Sequence, residues 1–197
     1  MPRPSEVTLA RLSRIADDLR ETFSERGYRV NAAVAVDPAF GSGRTLGSLA
    51  RDLAIDTVRT SATEHGVHID QTSLGDALDL IIDDAAGRHK CRARKAEIRP
   101  DGSYAVMTSS DAFLQVDEDS LYGTSLWVFA WTFGGDDFQI CDIFLAPVLG
   151  ITGDSVQYFV LGNAIALGSA PVGGPSGGFN PTDEELEGFE DDDFDEG

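Results

Sequence analysis

The chain has 197 residues, 42% of them hydrophobic and 25% charged, room for one domain with appendages. It carries 34 acidic and 15 basic side chains, a formal net charge of −19, and without the last fifteen residues 24 acids still face 15 bases. Such a body repels nucleic acid and anionic membrane on average; no run reaches the roughly 18 apolar residues of a membrane span, no secretory signal opens the chain, and a cytoplasmic protein is expected.

Between Ser5 and Arg26, Thr8, Leu12, Ile15, Ala16, Leu19 and Phe23 recur every three or four residues, which predicts an amphipathic helix with Ser5 as its cap and Gly27 at its end. Tyr28, Val30, Ala32, Val34 and Val36 then alternate, predicting a short strand. A second helix is expected over residues 45–65, with Leu46, Leu49, Ala50, Leu53 and Thr57 on its core side and Ile55, Val58 and Ala62 widening the stripe. A third is expected over residues 74–86, capped by Ser73 with Asp76 three positions on.

After Gly87 the period changes from 3.6 to 2. Five strands are expected, over residues 89–99, 104–108, 126–133, 138–149 and 156–167. Turn chemistry separates them, as in Pro100-Asp101-Gly102 and Gly134-Gly135-Asp136-Asp137. Helices followed by strands argue an α+β fold in which N-terminal helices pack on a C-terminal, mainly antiparallel sheet of about five strands. One domain is expected over residues 1–168, helical over about 5–87 and sheet over about 88–168. A Gly/Pro-rich linker over 169–182 and a disordered acidic tail over 183–197 follow, because neither segment has the apolar surface to offset its ordering entropy.

Four groups of residues could carry chemistry. Arg88, Lys90, Arg92, Arg94, Lys95 and Arg99 hold six of the chain's bases, opposed locally only by Glu97. On a strand, Lys90, Arg92 and Arg94 share one face, a candidate site for an anion or an acidic partner. The structural alternative is an edge strand guarded by charge against edge-to-edge pairing. Trp127, Phe129, Trp131 and Phe133 alternate with Leu126, Val128 and Ala130, so both faces of that strand are apolar; burial on both sides is preferred over a base-stacking platform. Asp136, Asp137 and Asp142 form a carboxylate group that could hold a divalent metal. In phase with Ile140 and Phe144, however, Asp142 points toward the core, which calls for a β-bulge or an arginine partner. In the tail, Glu190, Asp191, Asp192, Asp193 and Phe194 combine charge with an apolar anchor for a partner groove.

His65 and His68 read as surface histidines, and residues 40–45 as an ordinary helix start without the lysine of a phosphate loop. Cys91 and Cys141 read as reduced thiols. No cofactor and no catalytic set are expected. The leading function is a non-enzymatic acidic interaction or regulatory protein, an inhibitor-like or antitoxin-like partner of a basic protein. The alternatives are a nucleic-acid-associated module with an autoinhibitory acidic tail, or a metal-dependent hydrolase.

Overall fold

The structure, a computed structural model, describes residues 2–36, 42–70, 77–108, 124–135 and 138–169. Helix α1 spans Glu6–Arg26. Ser5 starts it, its hydroxyl oxygen accepting from the Thr8 N–H at 3.2 Å. The stripe from Thr8 to Phe23 is buried as its spacing requires.

Gly27 does not break the chain. It keeps right-handed helical geometry (φ −57°), and a second helix, α2, follows at Tyr28–Ala35. The strand expected over residues 28–36 is therefore a helix. Of the five alternating residues only Val30 and Val34 are buried, and a spacing of four fits one helical face as well as it fits one strand face. Helix α3 spans Gly43–Glu64, with Ser42 capping Thr45. Its inner face is Ala50, Ala54, Val58, Ser61 and Ala62, small side chains that allow close approach to α1, while Leu49 turns outward.

The helix expected over residues 74–86 is also corrected. Its first residues, with Ser73 and Asp76, lie outside the described segments, and the rest is strand β2, Leu78–Asp84, after the short β1, His68–Ile69. Five consecutive residues, Leu78 to Ile82, are buried. A surface helix would bury only a stripe, whereas a strand covered on both faces buries a run. A two-residue hairpin joins β2 to β3, Gly87–Lys95, with Asp84 paired to Gly87.

The other strands are β4 (Glu97–Ile98), β5 (Tyr104–Ala105), β6 (Met107–Thr108), β7 (Ser125–Gly134), β8 (Gln139–Thr152), β9 (Gln157–Leu161) and β10 (Ile165–Ala166). The large sheet runs β1-β2-β3-β7-β8-β9-β6, with β10 also on β8. Only the β3–β7 pairing is parallel among its described strand pairs. The fold is thus α+β, with helices N-terminal and a curled, mostly antiparallel sheet C-terminal, of eight strands where about five were expected.

Two cores follow from the alternation of β7. Trp127, Phe129 and Trp131 face the helices, together with Leu80, Cys91 and Leu145. Leu126, Val128 and Ala130 face a second apolar cluster with Phe144, Ala146, Val148 and Phe159, which forms as β8 shifts register past Val148 and β9 pairs along its far half. Phe129 and Trp131 are fully buried, as the two-faced apolar pattern anticipates.

Candidate functional site: the charged strand pair and a cavity beside helix α1

Antiparallel register places β2 and β3 so that Asp79 faces Arg92, Ile81 faces Lys90 and Asp83 faces Arg88. The outer face of β2 therefore supplies acids to the bases of β3. Arg92 grips Asp79 with two parallel bonds, Nε to Oδ1 and NH2 to Oδ2, each 2.7 Å. Asp79 is fully buried and Arg92 is 8% exposed. Lys90 Nζ lies 3.2 Å from Asp70 and 3.4 Å from Asp79. Arg88 sits 3.8 Å from Asp83, Lys95 sits 3.6 Å from Glu97, and Arg99 lies over the Tyr158 ring at 5.6 Å. Arg94 is half-buried and has partners of its own. The cationic row exists in position, but its centre is interior and matched. A bidentate arginine–carboxylate pair fixes geometry strongly, and desolvation offsets much of its Coulomb energy.

The opposite face of β3 carries a polar network that the sequence does not announce. His89 is fully buried; its Nδ1 lies 2.5 Å from the Ser125 hydroxyl and its Nε2 lies 3.2 Å from Asp84. Asp84 also accepts from the Ser5 N–H (2.8 Å), the Thr8 hydroxyl (2.7 Å) and the Ala86 N–H (2.7 Å). Burial works against its charge, but these donors prevail and hold the Asp84 carboxyl well below the usual carboxylate range. Ser, His and Asp are the residue types of a nucleophilic triad. Here the Ser125 oxygen accepts the Trp127 indole N–H at 3.1 Å, and Ser125 is 4% exposed, so no substrate carbonyl can approach it. The network instead ties the start of α1 to the β2–β3 hairpin. A second tie joins the helices, where Ser61 donates to Asp18 and His65 Nε2 lies 2.9 Å from the same carboxylate oxygen. His68 is exposed.

Asp142 lies at a break in the β7–β8 register. Trp131 pairs with Ile143 and Phe133 with Ile140, so Cys141 and Asp142 together oppose Thr132. This bulge turns both away from the hydrophobic core, leaving them half-buried. Thr132 Oγ1 accepts from the Asp142 N–H at 3.0 Å. Arg20 of α1 shares the electrostatic field of Asp142, as does the Tyr104 hydroxyl. Tyr104 stacks on Phe144 with ring centres 4.1 Å apart. Burial first, then the Asp142 charge and hydrogen bond, raise the Tyr104 hydroxyl pKa. For Arg20, burial lowers the pKa against the opposing pull of Asp17 and Asp142.

These groups line a cavity of about 490 Å³, floored by Ile143 and Phe144 and walled by Ala164, Ala166 and Gly168. Arg20 NH1 donates to the Leu167 carbonyl at 3.0 Å, and the Ser169 N–H donates to Asp17 at 2.7 Å, which pins the chain after β10 onto α1. Gly168 has a left-handed φ of +73°, and a side chain there would press on Arg20 and Asp17. Any side chain at Gly134 would collide with the Cys141 sulfur.

Asp136 and Asp137, and the tail residues Glu190, Asp191, Asp192, Asp193 and Phe194, lie outside the described residues. Among the described residues no three His, Cys, Asp or Glu side chains cluster as metal ligands would. Nor is any described helix long and apolar enough to cross a membrane.

Compared with family models, curated proteins and solved structures, the chain matches none of them.

Proposed function

We propose that the protein is a non-enzymatic, acidic interaction or regulatory protein of the cytoplasm, an inhibitor-like or antitoxin-like partner of a basic protein. The observation that carries this reading is the pairing of Arg92 with Asp79 and of Lys90 with Asp70 and Asp79, which takes up cations that a polyanion would need. Residues 66–169 contain fifteen acids and six bases, and all six bases lie between Arg88 and Arg99. Residues 1–65 balance at nine of each, and the last fifteen residues add ten acids with no base. The acid surplus thus lies in residues 66–197, where it favours and steers a cationic partner. Two free thiols, with burial pushing the Cys91 thiol pKa up, fit a reducing compartment.

The nucleic-acid alternative is weakened by the same pairing, since an inward arginine cannot contact phosphate. The test is reconstitution. A partner captured from cells is purified and titrated with the full chain at rising salt. The expected partner has a high isoelectric point, and its affinity falls as salt rises and on removal of residues 170–197. An acidic or neutral partner, or an affinity indifferent to salt, would overturn the reading.

A further inference from the structure

Helices α1 and α3 pack against β1, β2, β3 and β8, and the sheet extends past them through the far half of β8 to β9 and β6. There Val148, Ile151, Phe159 and Leu161 point into the second apolar cluster. Alternation turns Tyr158 and Val160 to the other side, with their register partners Met107, Thr152 and Gly150. Val156, two positions before Tyr158, shares that side. Leu149, in the bulge, reaches toward Gly162, whose Cβ would stand 3.7 Å from the Leu149 Cδ1. Met107, Leu149, Val156 and Val160 are 39–62% exposed, and the Arg99 guanidinium covers the Tyr158 ring. Single exposed apolar side chains are ordinary, but four on one sheet face make a patch of the kind that marks an interaction site.

Area and charge select what covers it. Three strands about 4.8 Å apart and about five residues long span roughly 14 Å by 17 Å. That falls well short of the about 800 Å² per partner in a stable dimer. A second copy would also set one net charge of −19 against another, and the last fifteen residues of the chain's own tail carry ten acids and no base. At the rim, Asp154 stands exposed in the β8–β9 turn, and Asp101 shares the turn of Arg99. Two acids and one base thus border the apolar side chains. A surface that joins apolar groups to lysine or arginine complements both features.

We propose that this exposed face of β6, β9 and the far half of β8 is where the basic partner docks, through apolar side chains flanked by lysine or arginine. The inference rests on the basic-partner reading and adds to it the surface and an apolar component of the contact.

Two designed peptides of one apolar pattern test it, one with lysine and one with glutamate at every polar position. Each is titrated into the full chain at an ionic strength of about 0.15 M and followed by methyl nuclear magnetic resonance. The lysine peptide is expected to give saturable shifts at the methyls of Met107, Leu149, Val156 and Val160. The glutamate peptide should bind at least about tenfold more weakly. Leu149→Gln combined with Val160→Gln removes apolar surface at exposed positions and leaves the charge unchanged. It should weaken the lysine peptide at least about tenfold and leave retention on immobilised polylysine as in the parent. Absence of saturation, shifts confined to other residues, equal binding of the two peptides, or undiminished binding by the folded double variant would each overturn the proposal. So would a dimer in sedimentation that the double variant abolishes, since a second copy would then occupy the face. Any of these with polylysine still retained strikes the docking surface alone, whereas a parent chain that polylysine does not retain strikes the basic-partner reading beneath it.

Discussion

At the scale of single residues, the Asp79–Arg92 pair decides how the basic strand is understood. Removing one member leaves the other charged in a space built for two. Arg92→Met is expected to cost about 3 kcal/mol in urea unfolding, the lower end for a broken buried pair because Lys90 still faces Asp79. Asp79→Leu combined with Arg92→Met should recover a large part of that loss, since apolar replacement of a whole buried pair is often tolerated. A single substitution that costs nothing would show that the pair is solvated. Asp84 gives a different signature. Its folded pKa is depressed, so its contribution to stability is fully present above the unfolded value of about 3.9 and is lost as pH falls through that value and below. The stability difference between wild type and Asp84→Asn should therefore be largest near neutral pH and shrink steadily below about pH 4. A difference that grew with acid would have the wrong sign. Neither pairing can be read from one segment alone. Arg88 to Arg99 looks uncompensated because its acids arrive from β2, and β2 carries apolar spacing that also suits a helix. His89 meets Ser125 only through the parallel register of β3 on β7, which spans 36 positions and has no local signal.

Among the elements, β7 and α1 were the most legible. The alternation of Trp127, Phe129 and Trp131 with small and branched apolar residues specifies a strand covered on both faces, and both faces are covered. Trp131→Ala should cost about 3–5 kcal/mol, as for other fully buried aromatics; a variant melting like the parent would contradict the two-sided core. Asp142 shows partial legibility. Its polar side chain in a core-facing phase signals a bulge or an arginine partner, and the bulge is there, with Arg20 of the first helix close enough to share the Asp142 field. Residues 28–36 and 78–84 depart from their expected elements for one physical reason. Short apolar runs satisfy two periodicities, and tertiary burial chooses between them. Residues 156–167 form two strands because Gly162, Asn163 and Ala164 interrupt the run, which frees β10 to pair with β8 near Ile143.

For the whole molecule, the last described residues matter as structure and the acidic end matters as charge. Leu167 and Ser169 bond to Arg20 and Asp17 on α1, and Ile165 pairs with Leu145. A chain ending at Ala170 keeps all of these contacts and is expected to melt within a few degrees of the full chain. A chain ending at Ala164 loses β10 and uncovers Arg20, so its Tm should fall by about 4 °C or more, the shift produced by roughly 1–2 kcal/mol in a domain of this size. Equal melting of all three would place β10 outside the cooperative fold. The central claim is the proposal that, with Lys90 and Arg92 at the centre of β3 engaged by the protein's own carboxylates, the exterior attracts cations and not polyanions. The most direct measurement compares retention of the full chain and the chain ending at Ala170 on immobilised heparin and on immobilised polylysine at low ionic strength. Neither chain should be held by heparin, and both should be held by polylysine, the full chain more strongly. Retention of the shorter chain on heparin, reversed by restoring residues 171–197, would mean that the strand's cations are available and that the tail's task is to mask them.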